Sequence, residues 1–394
     1  MGVTDKLSTD PYKGVRDFYP EDMAIQRYIF DTWAKVAESY GFERYDASVL
    51  EPAELYRAKT GEEIVNEQTY TFIDRGDREV TLRPEMTPTV ARMVAGRRRE
   101  LSFPLRWYSI PNLFRYERTQ RGRLREHWQL NCDTFGVDNA YADAEIIALA
   151  YNILKKFGAK DSDFVICVND RQMLNDYFAE LNLTAEQTHQ MYKLLDRKDK
   201  ITTFAEEASA IIGRDFNEKE LEALTSERLS ACLSTLDELG IHNAQFKPSV
   251  VRGFDYYDGI VFEVFDTAAE NNRSLFGGGR YNNLTALFGG EPIPAVGFGM
   301  GDVTMRDFLE THKLLPARAY GARVTLLLAA PEMTMHALKI REEIRGRGIS
   351  VALDFSGKKL KDQMARVAKR ETPYIIVVGS DEIASGNYIL RTMA

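Results

Sequence analysis

Apolar and polar positions change rhythm along the chain, and the changes mark its elements. Residues 14–160 mix helical and alternating patterns. Ala24–Tyr40 carries Ile25, Ile29, Val36 and Ala37 near helical spacing, with Gly41 as a stop, and predicts an amphipathic helix. Leu105–Phe114 and Glu126–Phe135 read as two strands flanking an arginine-rich turn around Gly122. Residues 170–246 are highly charged, with Leu, Ile and Ala spaced at three and four, and predict a helical insertion between strand-rich blocks. Residues 249–309 return to strand-like text broken by a glycine cluster. In 322–391 strand and helix alternate: Arg323–Ala329, Thr334–Arg347 ended by Gly348, Ser350–Asp354, Leu360–Lys369 and Tyr374–Val378. Such alternation implies a parallel or mixed sheet with covering helices. Pro316, Ala317 and Gly321 interrupt the apolar pattern at Leu315–Gly321. The expected domains are therefore 1–319, with an insertion at about 170–246, and 320–394.

Composition narrows the class. At roughly 150 residues per domain, 394 residues predict two to three domains. Hydrophobic residues at 44% and charged residues at 28% argue against a disordered chain, a collagen-like repeat and a coiled coil. Apolar runs such as Val324–Ala330 and Ile375–Val378 fall far short of the ~18–20 residues that cross a bilayer, and the first residues offer no apolar secretory segment. Cys132, Cys167 and Cys232 are far apart and odd in number, which leaves no disulfide framework and no CxxC zinc site. A reduced, cytoplasmic protein without a membrane partner is expected. The net charge of −8 hides a split. Residues 320–394 hold twelve Lys and Arg against eight Asp and Glu, a net of +4, leaving −12 on the other 319 residues. A basic tail on an acidic body hints at a polyanion partner.

Several standard sites are absent: no GxxxxGK[ST] loop, no GxSxG elbow, no HExxH. Gly297-Phe-Gly-Met-Gly301 resembles a dinucleotide turn only loosely, and close strand–helix packing explains it as well. The segment Arg106–Gly136 is richer. Between Arg115 and Arg125, five arginines (115, 118, 121, 123 and 125) meet one acid, Glu117, in a loop suited to phosphate oxygens or to rim salt bridges. By strand alternation Arg115 and Glu117 share a face, as do Gln129 and Asp133. Glu85 and Thr87 sit near a helix entry and could hold an ammonium group or serve as ordinary first-turn residues. Arg252 reads as lying inside an apolar strand, with Tyr256 and Tyr257 on opposite faces. Gly277-Gly-Gly-Arg-Tyr281 lets a flat ligand approach the backbone, or marks a bulge.

Together these segments resemble the histidyl-tRNA synthetase family of class II aminoacyl-tRNA synthetases, over essentially the whole chain. Arg115-Tyr-Glu-Arg118 with its loop to Asp133 looks like class II motif 2; Arg252–Tyr257 and Gly278–Tyr281 look like the two histidine signatures; Gly14-Val-Arg-Asp17 with Pro20 matches the family's opening. The resemblance implies an α+β class II catalytic domain, a mostly antiparallel six-stranded sheet with flanking helices, followed by a C-terminal α/β anticodon-binding domain. It implies ligation of histidine to tRNA(His) through a histidyl-adenylate, with ATP and Mg²⁺, by a homodimer, and it assigns no metal to protein side chains. Arg115 would contact the α-phosphate and Arg123 the outer phosphates, with Glu117 and Arg306 also at ATP. Glu85, Thr87 and Gln129 would receive the α-amino group. Asp133 and Tyr257 would grip the imidazole, with Tyr256 and Tyr281 completing its pocket. Arg252 would lie between carboxylate and α-phosphate. Gln120 would meet the tRNA acceptor, and Lys358, Lys359 and Lys361 its anticodon end.

The chain departs from the family pattern in three places. Thr304 stands where motif 3 usually ends in an ATP-holding arginine, with Asp302 and Arg306 as neighbours. Motif 1, Tyr45–Glu51, lacks its proline and has Ser48 near that position. The family continues into a further helix beyond the strand before Met393-Ala394, so a truncated or shortened C-terminal domain is expected. The alternatives are a non-catalytic synthetase-like regulatory subunit of ATP phosphoribosyltransferase and a synthetase for another amino acid. Arg115, Arg252 and the basic tail weigh against the first; the paired tyrosines weigh against the second.

Overall fold

The computed structural model describes residues 7–57, 68–253, 256–271, 273–316 and 321–393. Contacts group them into two compact units, one from the described residues of Met1–Asp17 and Ile25–Leu315, the other from those of Phe18–Ala24 and Pro316–Ala394. Residues 317–320 of the expected boundary lie outside the described residues.

In chain order the first unit contains α1 (Pro20–Ser39) from Ile25 onward, β1 (Glu43–Arg44), β2 (Leu50–Pro52), α2 (Glu54–Arg57), β3 (Tyr70–Ile73), β4 (Glu79–Leu82) and α3 (Thr87–Gly96). Next come β5 (Leu105–Ser109), β6 (Asn112–Phe114), β7 (Glu126–Phe135), α4 (Ala140–Phe157) and β8 (Phe164–Asp170). Five helices follow: α5 (Arg171–Glu180), α6 (Ala185–Asp196), α7 (Phe204–Ile212), α8 (Lys219–Glu222) and α9 (Glu227–Glu238). The apolar sides of the first four meet in a separate cluster around Phe178, Leu194, Leu195 and Phe204, while α9 packs into the core of the large sheet. The unit closes with β9 (Ala244–Phe246), β10 (Ile260–Asp266), β11 (Ser274–Arg280), β12 (Ala295–Gly301) and α10 (Asp302–Thr311).

One sheet dominates, in the order β1-β5-β7-β12-β11-β10-β8-β9, with β6 paired to β7. Its ladders are antiparallel except β1–β5 and β8–β9. The expected six strands become nine, because β1, β6 and β9 are two or three residues long and too short to show a period of two. Leu105–Phe114 is not one strand: Pro111 has no N–H for a ladder, and the chain breaks into β5 and β6 there. A small sheet, β2-β4-β3, stands apart.

Register gives each face of the large sheet one parity. Even-numbered Tyr108, Leu130, Cys132, Val168, Phe262, Val264, Phe298 and Met300 are buried among side chains of α1, α4, α9 and α10. Helix α4 is formed locally before it is packed. Asn139 Oδ1 accepts from the Ala142 N–H at 2.9 Å, and Gly158 ends the helix at φ +98°. It buries Ile146, Ile147, Leu149, Ile153 and Leu154 on the sheet, each worth roughly 1.5–3 kcal/mol. Odd-numbered residues face the other way, and the candidate site lies there.

The second unit contains β13 (Val324–Leu328), α11 (Thr334–Gly346), β14 (Val351–Leu353), α12 (Leu360–Lys369), β15 (Tyr374–Val378), α13 (Ser380–Ser385) and β16 (Leu390–Thr392). The order β14-β13-β15-β16, parallel except for β16, is the mixed sheet with helices that alternation predicted.

Candidate active site

The pocket floor is sheet without side chains. Gly277 and Gly279 on β11 lie directly opposite Gly299 and Gly297 on β12. Beyond β12, Gly297 faces Asp133, Gly299 faces Asn131 and Gly301 faces Gln129 on β7. The bare strip is required, because a Cβ at Gly297 would fall 2.1 Å from Asp133 Oδ1. Glu85, Thr87, Arg115, Gln129, Asn131, Asp133, Arg252, Tyr256, Tyr257 and Tyr281 form the walls.

Two buried carboxylates anchor the walls, each through a tyrosine. The Tyr281 hydroxyl donates to Asp133 Oδ1 at 2.5 Å, while Oδ2 is buried without a hydrogen-bond partner. The Tyr256 hydroxyl donates to Glu85 at 2.9 Å and also bonds Thr87. Tyr256, Tyr257 and Tyr281 pack ring against ring, with centroids 4.7 to 6.5 Å apart. Both Tyr256 and Tyr257 thus serve one pocket, which corrects the expectation of opposite faces. The strand expected around Arg252 is also absent. Asn169 Nδ2 donates to the carbonyls of Pro248 and Val250 at 3.0 Å, and Arg171 donates to that of Val251 at 3.3 Å. Side chains replace a ladder there, and Arg252 adopts φ +60°. Asp255, within the same signature, lies outside the described residues.

The arginine loop turns at Gly122, φ +77°, closed by backbone bonds between Gln120 and Arg123. Arg115 Nε donates to the Pro84 carbonyl at 2.8 Å, holding its guanidinium at the pocket. Glu117 bridges Arg115 at 3.8 Å and Arg123 at 3.7 Å, and its Oε2 is buried without a hydrogen-bond partner. Arg125 stacks on Tyr116, 3.9 Å from the ring centre, and Arg121 pairs with Asp307 at 3.0 Å. Two of the five arginines are therefore committed to structure. Thr304 donates to the Leu275 carbonyl at 2.7 Å and lies under the loop tip. Arg306 pairs with Glu310 along α10 and does not line the pocket. Gln120 is exposed on the loop, and Lys358, Lys359 and Lys361 are exposed at the start of α12.

Burial sets the protonation states. It lifts Asp133 to about 7, with the Tyr281 hydroxyl pulling the other way. It raises Tyr256, Tyr257 and Tyr281, so all three keep their protons as donors. Burial disfavours charge on Arg252, but Glu263, 2.5 Å from Nη1, outweighs it and keeps the guanidinium charged. Beneath the hairpin, burial and the nearby charges of Arg115 and Arg16 push His127 down to about 3, so it is neutral. The outcome is a cleft lined by carboxylates, guanidinium groups and neutral phenols. Sequence reading missed Asn131 and Glu263. Asn131 shares the alternation of Gln129 and Asp133, and Glu263 interrupts the apolar text of β10; both signals were present.

The histidyl-tRNA synthetase family model matches residues 14–302, and the anticodon-binding domain model matches residues 323–394. A histidine–tRNA ligase of Leptospira biflexa is 44% identical over 99% of this chain and 94% of its own length. One from Thermoplasma volcanium is 37% identical over 98% and 95%. The crystal structure of histidyl-tRNA synthetase from Nostoc sp. PCC 7120 superposes with a TM-score of 0.80 at 23% identity, over 98% of this chain and 94% of that one. Sheet, flanking helices and C-terminal unit have the class II aminoacyl-tRNA synthetase fold. Within that class, the chain belongs to the histidyl-tRNA synthetase family.

Proposed function

We propose that the chain activates histidine with ATP and then transfers it to the 3′ end of tRNA(His). The observation that carries the reading is Asp133 Oδ2, a buried acceptor without a partner beside a tyrosine-walled, glycine-floored slot. Such an oxygen calls for an N–H donor on a flat ring, and the imidazole of histidine supplies one. Tyr257 and Tyr281 hold the ring, with Tyr256 behind them. Glu85, Thr87 and Gln129 take the α-ammonium. Arg252 and Arg115 then face the place where the amino-acid carboxylate meets the α-phosphate of ATP.

The carboxylate oxygen attacks that phosphorus, forming the mixed anhydride, and the bond to pyrophosphate breaks. Arg252 and Arg115 stabilise the charge that develops on the equatorial oxygens, so catalysis is positioning and electrostatics with no protein nucleophile. Arg123 meets the outer phosphates. Mg²⁺ bound to the triphosphate would neutralise part of its charge. Glu117, whose buried Oε2 makes no hydrogen bond and lies 3.7 Å from Arg123, would help to hold it. A ribose hydroxyl of the tRNA then displaces AMP, with Gln120 near the acceptor and Lys358, Lys359 and Lys361 toward the anticodon.

Exposed Leu50, Phe72 and Ile73 on the small sheet suit a second copy, and a cytoplasmic homodimer is part of this reading. No helix among the described residues is long and apolar enough to cross a membrane. The regulatory-subunit reading is not favoured, because relatives named as ligases align along nearly the full length and both arginines are in place. The test is exchange of pyrophosphate into ATP with each of the twenty amino acids. Histidine alone should support it, and exchange driven by another amino acid sinks the reading. Arg252→Ala should lower exchange by about 10²–10³ in a folded protein.

A further inference from the structure

We propose that Glu263 is a positioning residue for Arg252: its carboxylate aims the guanidinium at the reacting phosphate and keeps it off the two carboxylates that must receive the amino acid. The inference rests on the role proposed for Arg252 above and extends it to a residue on a different element.

Glu263 sits mid-strand in β10, between Phe262 and Val264, on the odd-numbered face that carries the pocket. Its neighbours in the ladders are Cys167 on β8 and Gly277 on β11. A carboxylate so placed loses most of its water and needs a partner. The partner is Arg252 Nη1, 2.5 Å from Oε1, and both side chains are about one-fifth exposed or less. The space in which they meet exists because residue 277 has no side chain. A Cβ there would lie 3.1 Å from Arg252 Nη1, 3.1 Å from Glu263 Cγ and 2.3 Å from the Phe262 carbonyl oxygen.

Backbone geometry does not hold Arg252 by itself. It occupies φ +60°, a region L-residues seldom adopt, in a segment without a ladder, and its Nε is buried without a hydrogen-bond partner. A long, charged side chain in such a place goes to the nearest anion. Asp133 and Glu85 line the same pocket. Without Glu263, the guanidinium would be drawn to one of them, occupying the site of an imidazole N–H or an ammonium. With Glu263 in place, one edge of the fork is neutralised and the other is left for the carboxylate and phosphate oxygens. The pair thus supplies orientation before substrate arrives, and orientation is where such a donor gains its effect.

The test compares full-length Glu263→Ala, Glu263→Gln, Arg252→Ala and the double variant Arg252→Ala/Glu263→Gln in histidine-dependent pyrophosphate exchange, with thermal melting on each. Glu263→Ala should lower kcat about tenfold to a hundredfold. KM for ATP should change little. Glu263→Gln keeps shape and one acceptor oxygen, so its loss should be smaller, and it carries the test if the alanine variant does not fold. In the Arg252→Ala background, Glu263→Gln should cost no further activity and should raise the melting temperature, because it removes a carboxylate left without its partner. Wild-type kcat in both folded Glu263 variants, with Arg252→Ala inactive, overturns this inference and leaves the role of Arg252 standing. Additive losses in the double variant overturn it too. Normal exchange by Arg252→Ala would instead overturn the role on which the inference rests.

Discussion

A carboxylate with one oxygen on Tyr281 and the other buried without a partner is only half satisfied, and at Asp133 this has a measurable sign. Free aspartate ionises near 3.9, whereas burial lifts Asp133 to about 7. Between those values the native state holds a proton that the unfolded chain has released. Stability contributed by this residue is therefore full below about pH 4 and is lost as pH rises to about 7, by an amount on the order of a few kcal/mol. Asp133→Asn removes that slope. Its melting temperature should exceed wild type at pH 8, and the gain should shrink toward pH 4.5. Histidine binding should move oppositely. An imidazole N–H donates best to the ionised carboxylate, so KM for histidine should fall as pH rises through about 7. In Asp133→Asn the KM should be high and this dependence absent. Equal losses for ATP and histidine would mean that Asp133 supports the hairpin rather than the ring.

At the scale of elements, the paired strands β11 and β12 make the pocket by leaving it empty. Gly297→Ala places a methyl 2.1 Å from Asp133 Oδ1 and 2.6 Å from the Cys132 carbonyl oxygen. Overpacking of this kind costs about 1–3 kcal/mol, and the shifted Asp133 should raise KM for histidine at least about tenfold. Gly346→Ala, at a helical position with nothing within 4 Å of the new methyl, should stabilise by about 0.5–1 kcal/mol and leave exchange unchanged. Melting curves and exchange kinetics on the two variants separate crowding from glycine loss as such. The same strands show what was legible beforehand. Alternation placed Gln129 and Asp133 on one face, and α12 and β15 have the expected ends. Local text failed around Arg252, because the apolar run before it reads as strand while Asn169 and Arg171, some eighty residues earlier, take its carbonyls. Pairings over that distance leave no periodic trace. For Arg121 and Arg125 the sequence left phosphate binding and rim contacts both open, and Asp307 and Tyr116, which decide for contacts within the protein, lie beside them only in the fold.

Across the whole molecule, charge is divided between an acidic body and a basic tail. Lys358, Lys359 and Lys361 gather at the start of α12, the end of a helix where its dipole disfavours cations. Stability does not explain that choice; the proposed contact with a polyanion would. Changing all three to alanine should weaken tRNA binding and flatten the dependence of log affinity on log salt, by about 0.7 to 0.9 for each phosphate no longer neutralised. Histidine-dependent exchange should be untouched. An unchanged slope would place the anticodon-binding surface elsewhere in residues 320–394. The large sheet has its own molecule-wide property, the division of odd from even. Every strand that builds the pocket spells core and site in alternate letters, as a message is spelled in a reading frame. Deleting one residue inside β7, β10, β11 or β12 shifts the frame, so that Phe298 or Phe262 would point at the substrate and a pocket glycine at the core. Deleting two adjacent residues restores it at the cost of length. In a scan of single-residue deletions, these four strands should therefore yield no soluble active enzyme, while the loops among α5 to α9 tolerate shortening. Length in this protein is free to vary only where nothing has to be counted.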